Sequence, residues 1–163
     1  MREGSLDETM ASAPGAGSAG AGALLGTWRL RSWKSIADAG DVRLPLGEDP
    51  EGMLIYTADG AMLTVMARRG RPRLSSDDLL AGSPEERIAA AESFVAYGGR
   101  FSYDGRYVIH HVDLSLFPNF VGTDQRRDVE FDVGGDRLTL SAAPMMVRGE
   151  IRAQRVVWER VRG

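Results

Sequence analysis

The chain is cut into short runs of strand length and strand composition, separated by turns bearing glycine and aspartate, and this pattern limits the fold more than any other feature. The runs are residues 27–35, 52–57, 61–67, 97–103, 106–114, 124–133, 137–142 and 151–161. Asp104-Gly105 and Gly134-Gly135-Asp136 mark hairpins. Ala58-Asp59-Gly60 joins two of the runs. A type I turn with Gly60 in the left-handed position makes this a three-residue loop, pairing Thr57 with Ala61 and Tyr56 with Met62. Leu54, Tyr56, Met62, Thr64 and Met66 then share one face. The opposite face, Ile55, Leu63 and Val65, is also apolar, which calls for cover on both sides or another register. One segment, residues 84–97, reads as a helix. Ser83 is its N-cap, Pro84 suits the first turn, Glu86 completes a Ser-x-x-Glu capping box, and Gly98-Gly99 supplies the stop. About eight strands and one helix predict an all-β fold whose antiparallel sheet closes into a barrel, removing its edges. Eight strands leave an interior able to hold one small ligand.

Length and charge bound the rest. At 163 residues the chain holds one domain. Residues 1–23 are rich in Ala, Gly and Ser and poor in large apolar side chains, so we expect a disordered, dispensable tail followed by a barrel domain over 24–163. A net charge of -3 and a pI near 5.4 argue against nucleic acid, whose phosphates need a basic surface. There is no cysteine, hence no disulfide or thiolate metal site. No apolar run approaches the length of a membrane span, and the N-terminus lacks a signal peptide's apolar stretch, so the expectation is a cytoplasmic protein. Gly15, Gly17 and Gly20 match GxGxxG, but neither the strand before nor the helix after that a dinucleotide site needs is there. We expect no cofactor. His110 and His111 are adjacent on a strand and point to opposite faces, and no other histidine exists, so no metal is expected either.

The functional signal is concentrated in HHVDLSLFPNFVGTDQRR, residues 110–127. Large polar groups on strands are costly to bury unless paired. If Val108, Val112 and Leu114 face inward, His110 does too; placing Tyr107 and Ile109 inward would bring in His111 instead, and we favour His110. Val129 and Phe131 want the core, and alternation carries Gln125 and Arg127 in with them. A buried guanidinium needs an acceptor: Asp113, Glu130, or a ligand carboxylate or enolate. Asn119, in the Pro118-Asn119 turn, bonds backbone there or reaches a ligand. Tyr56 either donates to a ligand carbonyl or packs in the core. Met62 is one of several methionines that suit an adaptable apolar pocket. The candidate ligand-binding set is therefore Tyr56, Met62, His110, Asn119, Gln125 and Arg127, with His110 and Arg127 as candidate catalytic groups. No Ser-His-Asp order, P-loop or helical HExxH is present.

Five segments, LLGTWRL, GMLIYTADGAM, YVIHHVDLSLFPNFVGTDQR, GDRLTL and VVWERV, resemble in order and spacing the bacterial and fungal lipocalin-like single-domain family over residues 24–161. Phe120 stands where Trp is common after the Pro-Asn pair, and the N-terminal tail is extra. The resemblance implies an up-and-down calycin barrel with a central cavity. It also implies that Trp28 plugs the closed end beneath an arginine of the last strand, for which Arg160 is the candidate. Related barrels include binders and also cyclases. The leading expectation is thus a container for a small apolar or amphipathic molecule with one polar end. The alternative is a cyclase or isomerase acting on a natural-product biosynthetic intermediate by holding it in a reactive fold. A partner-binding scaffold with a filled barrel is the third reading. Oligomeric state is left open.

Overall fold

A computed structural model describes residues 18–162. Its nine strands form one antiparallel sheet: β1 (Gly26–Ala37), β2 (Val42–Arg43), β3 (Glu51–Tyr56), β4 (Ala61–Ala67), β5 (Phe94–Tyr103), β6 (Tyr107–Ser115), β7 (Asp124–Phe131), β8 (Arg137–Val147) and β9 (Glu150–Arg160). Consecutive strands from β3 to β9 pair in order, β1 pairs with β3, and β1 also pairs with β9. Eight strands therefore close on themselves, and the two-residue β2 is an extra piece hung on the end of β1. This is the expected antiparallel barrel.

The hairpin from β3 to β4 follows from its turn. Tyr56 pairs with Met62, Gly60 has φ +86°, and Gly60 N–H donates to Thr57 O at 3.1 Å. Leu54, Tyr56, Met62, Thr64 and Met66 are all buried on the inner face. The outer face is apolar but uncovered: Met53 and Leu63 are close to half exposed.

The helix, α2 (Pro84–Glu92), is shorter than residues 84–97. Its capping box is formed, with Glu86 N–H donating to Ser83 Oγ at 3.2 Å and Ser83 N–H to Glu86 Oε2 at 2.7 Å. Ser93 closes its far end by donating Oγ–H to Ala89 O at 2.8 Å, and β5 begins at once. Gly98 and Gly99 lie within that strand rather than ending a helix. A Cβ on Gly99 would overlap the carbonyl oxygen of His111, so only glycine lets the two backbones approach. Here Gly98 faces Leu114 but Gly99 faces Val112, leaving one extra residue on β6. That bulge reverses the alternation. Val108, His110 and Val112 point inward, whereas Leu114, expected inward, is 72% exposed.

One end of the barrel is sealed. Trp28 is fully buried, and its Nε1–H donates to Leu24 O at 2.8 Å. The Arg160 guanidinium lies 4.1 Å above the indole and donates to Leu25 O at 2.9 Å and Ala23 O at 2.6 Å. A single helical turn, α1 (Ser18–Ala21), precedes this seal, and Gly20 backs onto the Tyr103 ring. The expected tail lies, for residues 1–17, outside the described residues; residues 18–23 make these contacts. We expect deletion of residues 1–17 to leave the melting temperature unchanged in a thermal scan, because they carry too little apolar surface to offset chain ordering. A drop of several degrees would refute this.

The opposite end is held differently. Arg152 on β9 is fully buried and bridges Glu150 Oε2 at 2.8 Å and Asp41 Oδ2 at 2.9 Å. It also donates to Ser35 O at 2.8 Å and Asp41 O at 2.9 Å. One side chain thereby ties β9, the end of β1 and the loop before β2 together. Buried charge survives only with such partners.

Candidate functional site

Between the sealed end and the Arg152 end lies a cavity of about 270 Å³. Its wall is mostly apolar: Leu54, Met66, Val95, Leu140 and Val156, with the rings of Trp33, Phe117, Phe120 and Trp158. Sites for drug-sized ligands run from roughly 300 to 1,000 Å³, so this space suits a smaller molecule.

The polar part of the wall is a short chain of aromatic hydroxyls and one imidazole. His110 is fully buried, with Tyr56 Oη 2.6 Å from its Nε2 and Tyr97 Oη 3.0 Å from its Nδ1. Burial, helped by the nearby charges of Arg127 and then His111, pulls the His110 pKa down to about 3, so the ring is neutral. Burial pushes both phenols up, and Arg127 acts against that shift in each. Arg127 lines the cavity half-buried, donating to Arg126 O at 2.8 Å and Gln125 Oε1 at 3.3 Å. Among the described residues no carboxylate pairs with it. Glu130, on the other face of β7, pairs instead with Arg155 at 3.2 Å. Two residues that border the cavity each carry a buried polar atom, Thr64 Oγ1 and Trp158 Nε1, with no hydrogen-bond partner among the described residues. Buried polar atoms are nearly always paired, so each such exception asks for an explanation.

Of the six candidate residues, the structure brings His110 and Arg127 to the cavity wall. Tyr56 stands behind His110 and contacts the cavity only through it. Gln125 is likewise one step back, donating to Thr123 Oγ1 at 2.8 Å and holding Arg127. Met62 is a core side chain outside the cavity wall. Asn119 is exposed on the 3₁₀ turn Pro118–Phe120 and does not reach the cavity. Its neighbour Phe120 does, because the turn aims alternate side chains differently from a strand.

The model of the lipocalin-like domain matches residues 25–161. The chain belongs to this lipocalin-like family. It is also similar to the 4'-hydroxy-3'-methoxypropiophenone carrier protein of Aspergillus oryzae, at 32% identity over 109 residues, spanning 61% of this chain and 96% of the relative.

Several wall residues of this lipocalin-like barrel escape a sequence reading. Tyr97 is where two sequence readings meet, the end of the helix over 84–97 and the start of the strand run 97–103, and neither singles it out as a site residue. Gln154, which accepts from Trp33 Nε1–H at 2.8 Å and donates to Ser35 Oγ at 3.1 Å, carried a usable signal. Alternation back from Trp158 puts Val156, Gln154 and Arg152 on the inner face, as it does for Gln125 and Arg127 on β7. The outer surface of the lipocalin-like barrel carries one more arrangement. His111 Nδ1 lies 2.7 Å from Asp124 Oδ1, and Ser102 Oγ lies 3.0 Å from its Nε2. The order of groups is that of a hydrolytic triad. It stands on the exposed side of β5–β7, however, where the backbone N–H groups that could form an oxyanion hole serve the sheet ladder. None of these three residues borders the barrel cavity.

Proposed function

We propose that this protein is a carrier that holds a small, mostly apolar molecule with an oxygen-bearing polar end inside the barrel. The observation that carries this reading is the cavity of about 270 Å³, bordered by an arginine without a carboxylate among the described residues and by two residues that each bury an unpartnered polar atom. A filled scaffold core would leave neither space nor orphaned groups. The name of the Aspergillus relative supports the same reading and suggests a single-ring aryl ketone as the class of cargo. Five aromatic rings in the wall, Trp33, Tyr97, Phe117, Phe120 and Trp158, suit such a ring.

The test is a fluorescence titration with 4'-hydroxy-3'-methoxypropiophenone, since Trp33 and Trp158 border the cavity and report on its occupation. We expect saturable quenching with one site per chain. Arg127→Ala should weaken it about tenfold, the loss expected for a charged hydrogen-bond donor. Absence of saturation with this ketone, together with no small molecule retained by the purified protein in native mass spectrometry, would refute the carrier reading. Release of a chemically altered compound would transfer the site to the cyclase or isomerase reading.

A further inference from the structure

The row Tyr56–His110–Tyr97 has a direction. A neutral imidazole offers one N–H donor and one bare nitrogen acceptor. Tyr56 Oη touches Nε2 and has no other hydrogen-bond partner among the described residues; Tyr97 Oη touches Nδ1. If the proton sat on Nε2, it would be donated to Tyr56 Oη. The Tyr56 hydroxyl proton would then have no acceptor, in a residue that is 1% exposed. Proteins avoid that state. With the proton on Nδ1, Tyr56 and His110 are both satisfied, Tyr56 donating to Nε2 and Nδ1–H donating to Tyr97 Oη, and the proton left over falls on Tyr97, which lines the cavity as Tyr56 does not. Tyr97 has then used a lone pair on His110, and its own proton is free. The nearby Arg127 cannot take that proton, because a guanidinium has no acceptor. What remains in front of Tyr97 is the cavity it lines.

We propose that Tyr97 is the residue that recognises the cargo, its hydroxyl proton held toward the cavity by Tyr56 and His110 and donated to an acceptor oxygen of a carbonyl compound. The proposal rests on the carrier reading and narrows its ligand class. The remaining unused groups agree. Arg127 in the wall is a donor only, and Gln154 already spends its amide on Trp33 and Ser35. A cavity lined by donors favours a ligand that accepts, such as an aryl ketone, over a hydrocarbon of the same shape.

Propiophenone and propylbenzene differ at that one oxygen and serve as the probe pair. The wild-type protein is expected to bind propiophenone about tenfold more tightly, one net hydrogen bond. Tyr97→Phe should remove the preference, the ratio of the two affinities falling to about one, with circular dichroism showing that the variant is folded. Tyr56→Phe, an equal deletion one step from the cavity, should keep most of the preference. Nitrogen-15 spectra of His110 in the unliganded protein should show a protonated Nδ1 and a bare Nε2. Equal affinity of the wild type for both probes would overturn the assignment while leaving the carrier reading intact. Failure of both probes to bind would count against the carrier reading itself and take this assignment with it. The opposite His110 tautomer, or an unchanged preference in Tyr97→Phe, would overturn the relay alone.

Discussion

Trp28→Ala should destabilise the protein by about 3–5 kcal/mol, the range for truncating a buried tryptophan. The indole is 0% exposed and fills the sealed end between the Arg160 guanidinium and the Phe131 ring, whose centroid is 6.1 Å away. Two losses add to the missing volume. The cation–π contact contributes about 1 kcal/mol or more where water is excluded, and Leu24 O loses its donor at 2.8 Å. Arg160 would stay fastened to the carbonyls of Ala23 and Leu25, so it cannot swing in to fill the void. Trp28 is not part of the cavity wall, so ligand affinity in the folded fraction should hardly move. Urea unfolding followed by circular dichroism measures the first effect and the ketone titration the second. A variant that unfolds at the parental midpoint yet no longer binds would mean that Trp28 belongs to the binding site and not to the seal.

The same seal shows where sequence reasoning reaches. Trp28 and Arg160 lie far apart in the chain, and their contact was available only through resemblance to a family of barrels. The β3–β4 hairpin was legible from its own residues, because a turn with Gly60 at positive φ fixes a register and the register fixes the faces. Alternation likewise carried His110 and Arg127 to the right side of their strands. Both readings failed where one residue is inserted or a strand gives way to a turn. The extra residue on β6 put Leu114 outside, and the 3₁₀ turn left Asn119 exposed while Phe120 entered the wall. Tyr97 reads two ways, as the end of a helix over 84–97 and as the start of a strand over 97–103. After a formed capping box, Phe94, Val95 and Tyr97 continue an apolar pattern that a helix could use. Only their pairing with Ala67, Met66 and Thr64 makes them a strand. Local pattern cannot report a partner that is distant in sequence. A recognition residue supplied by such a pairing is visible only once the barrel closes.

Acid should weaken the fold through His110, and earlier than through any carboxylate. An unfolded histidine titrates near its ordinary value of 6.5, whereas in the folded barrel burial, then Arg127, then His111 hold His110 down to about 3. Between those values the unfolded chain binds a proton that the folded chain refuses. Stability is therefore fully present above pH 6.5 and falls as the pH drops, by about 1.4 kcal/mol per unit at the steepest. The loss continues until the folded-state value near 3 is reached. The carboxylates held below their usual range, such as Asp104, Asp132 and Glu150, add their own loss only once the unfolded acids begin to protonate. Their ordinary values of about 4 leave the interval from roughly pH 6.5 to 5 mainly to His110. His110→Gln keeps a polar side chain between Tyr56 and Tyr97 but cannot titrate. It should be less stable than the parent at neutral pH yet nearly flat across that interval. Urea midpoints measured at half-unit steps of pH compare the two curves. Parallel slopes in parent and variant would mean that the acid sensitivity arises elsewhere and that His110 is not held neutral by its burial.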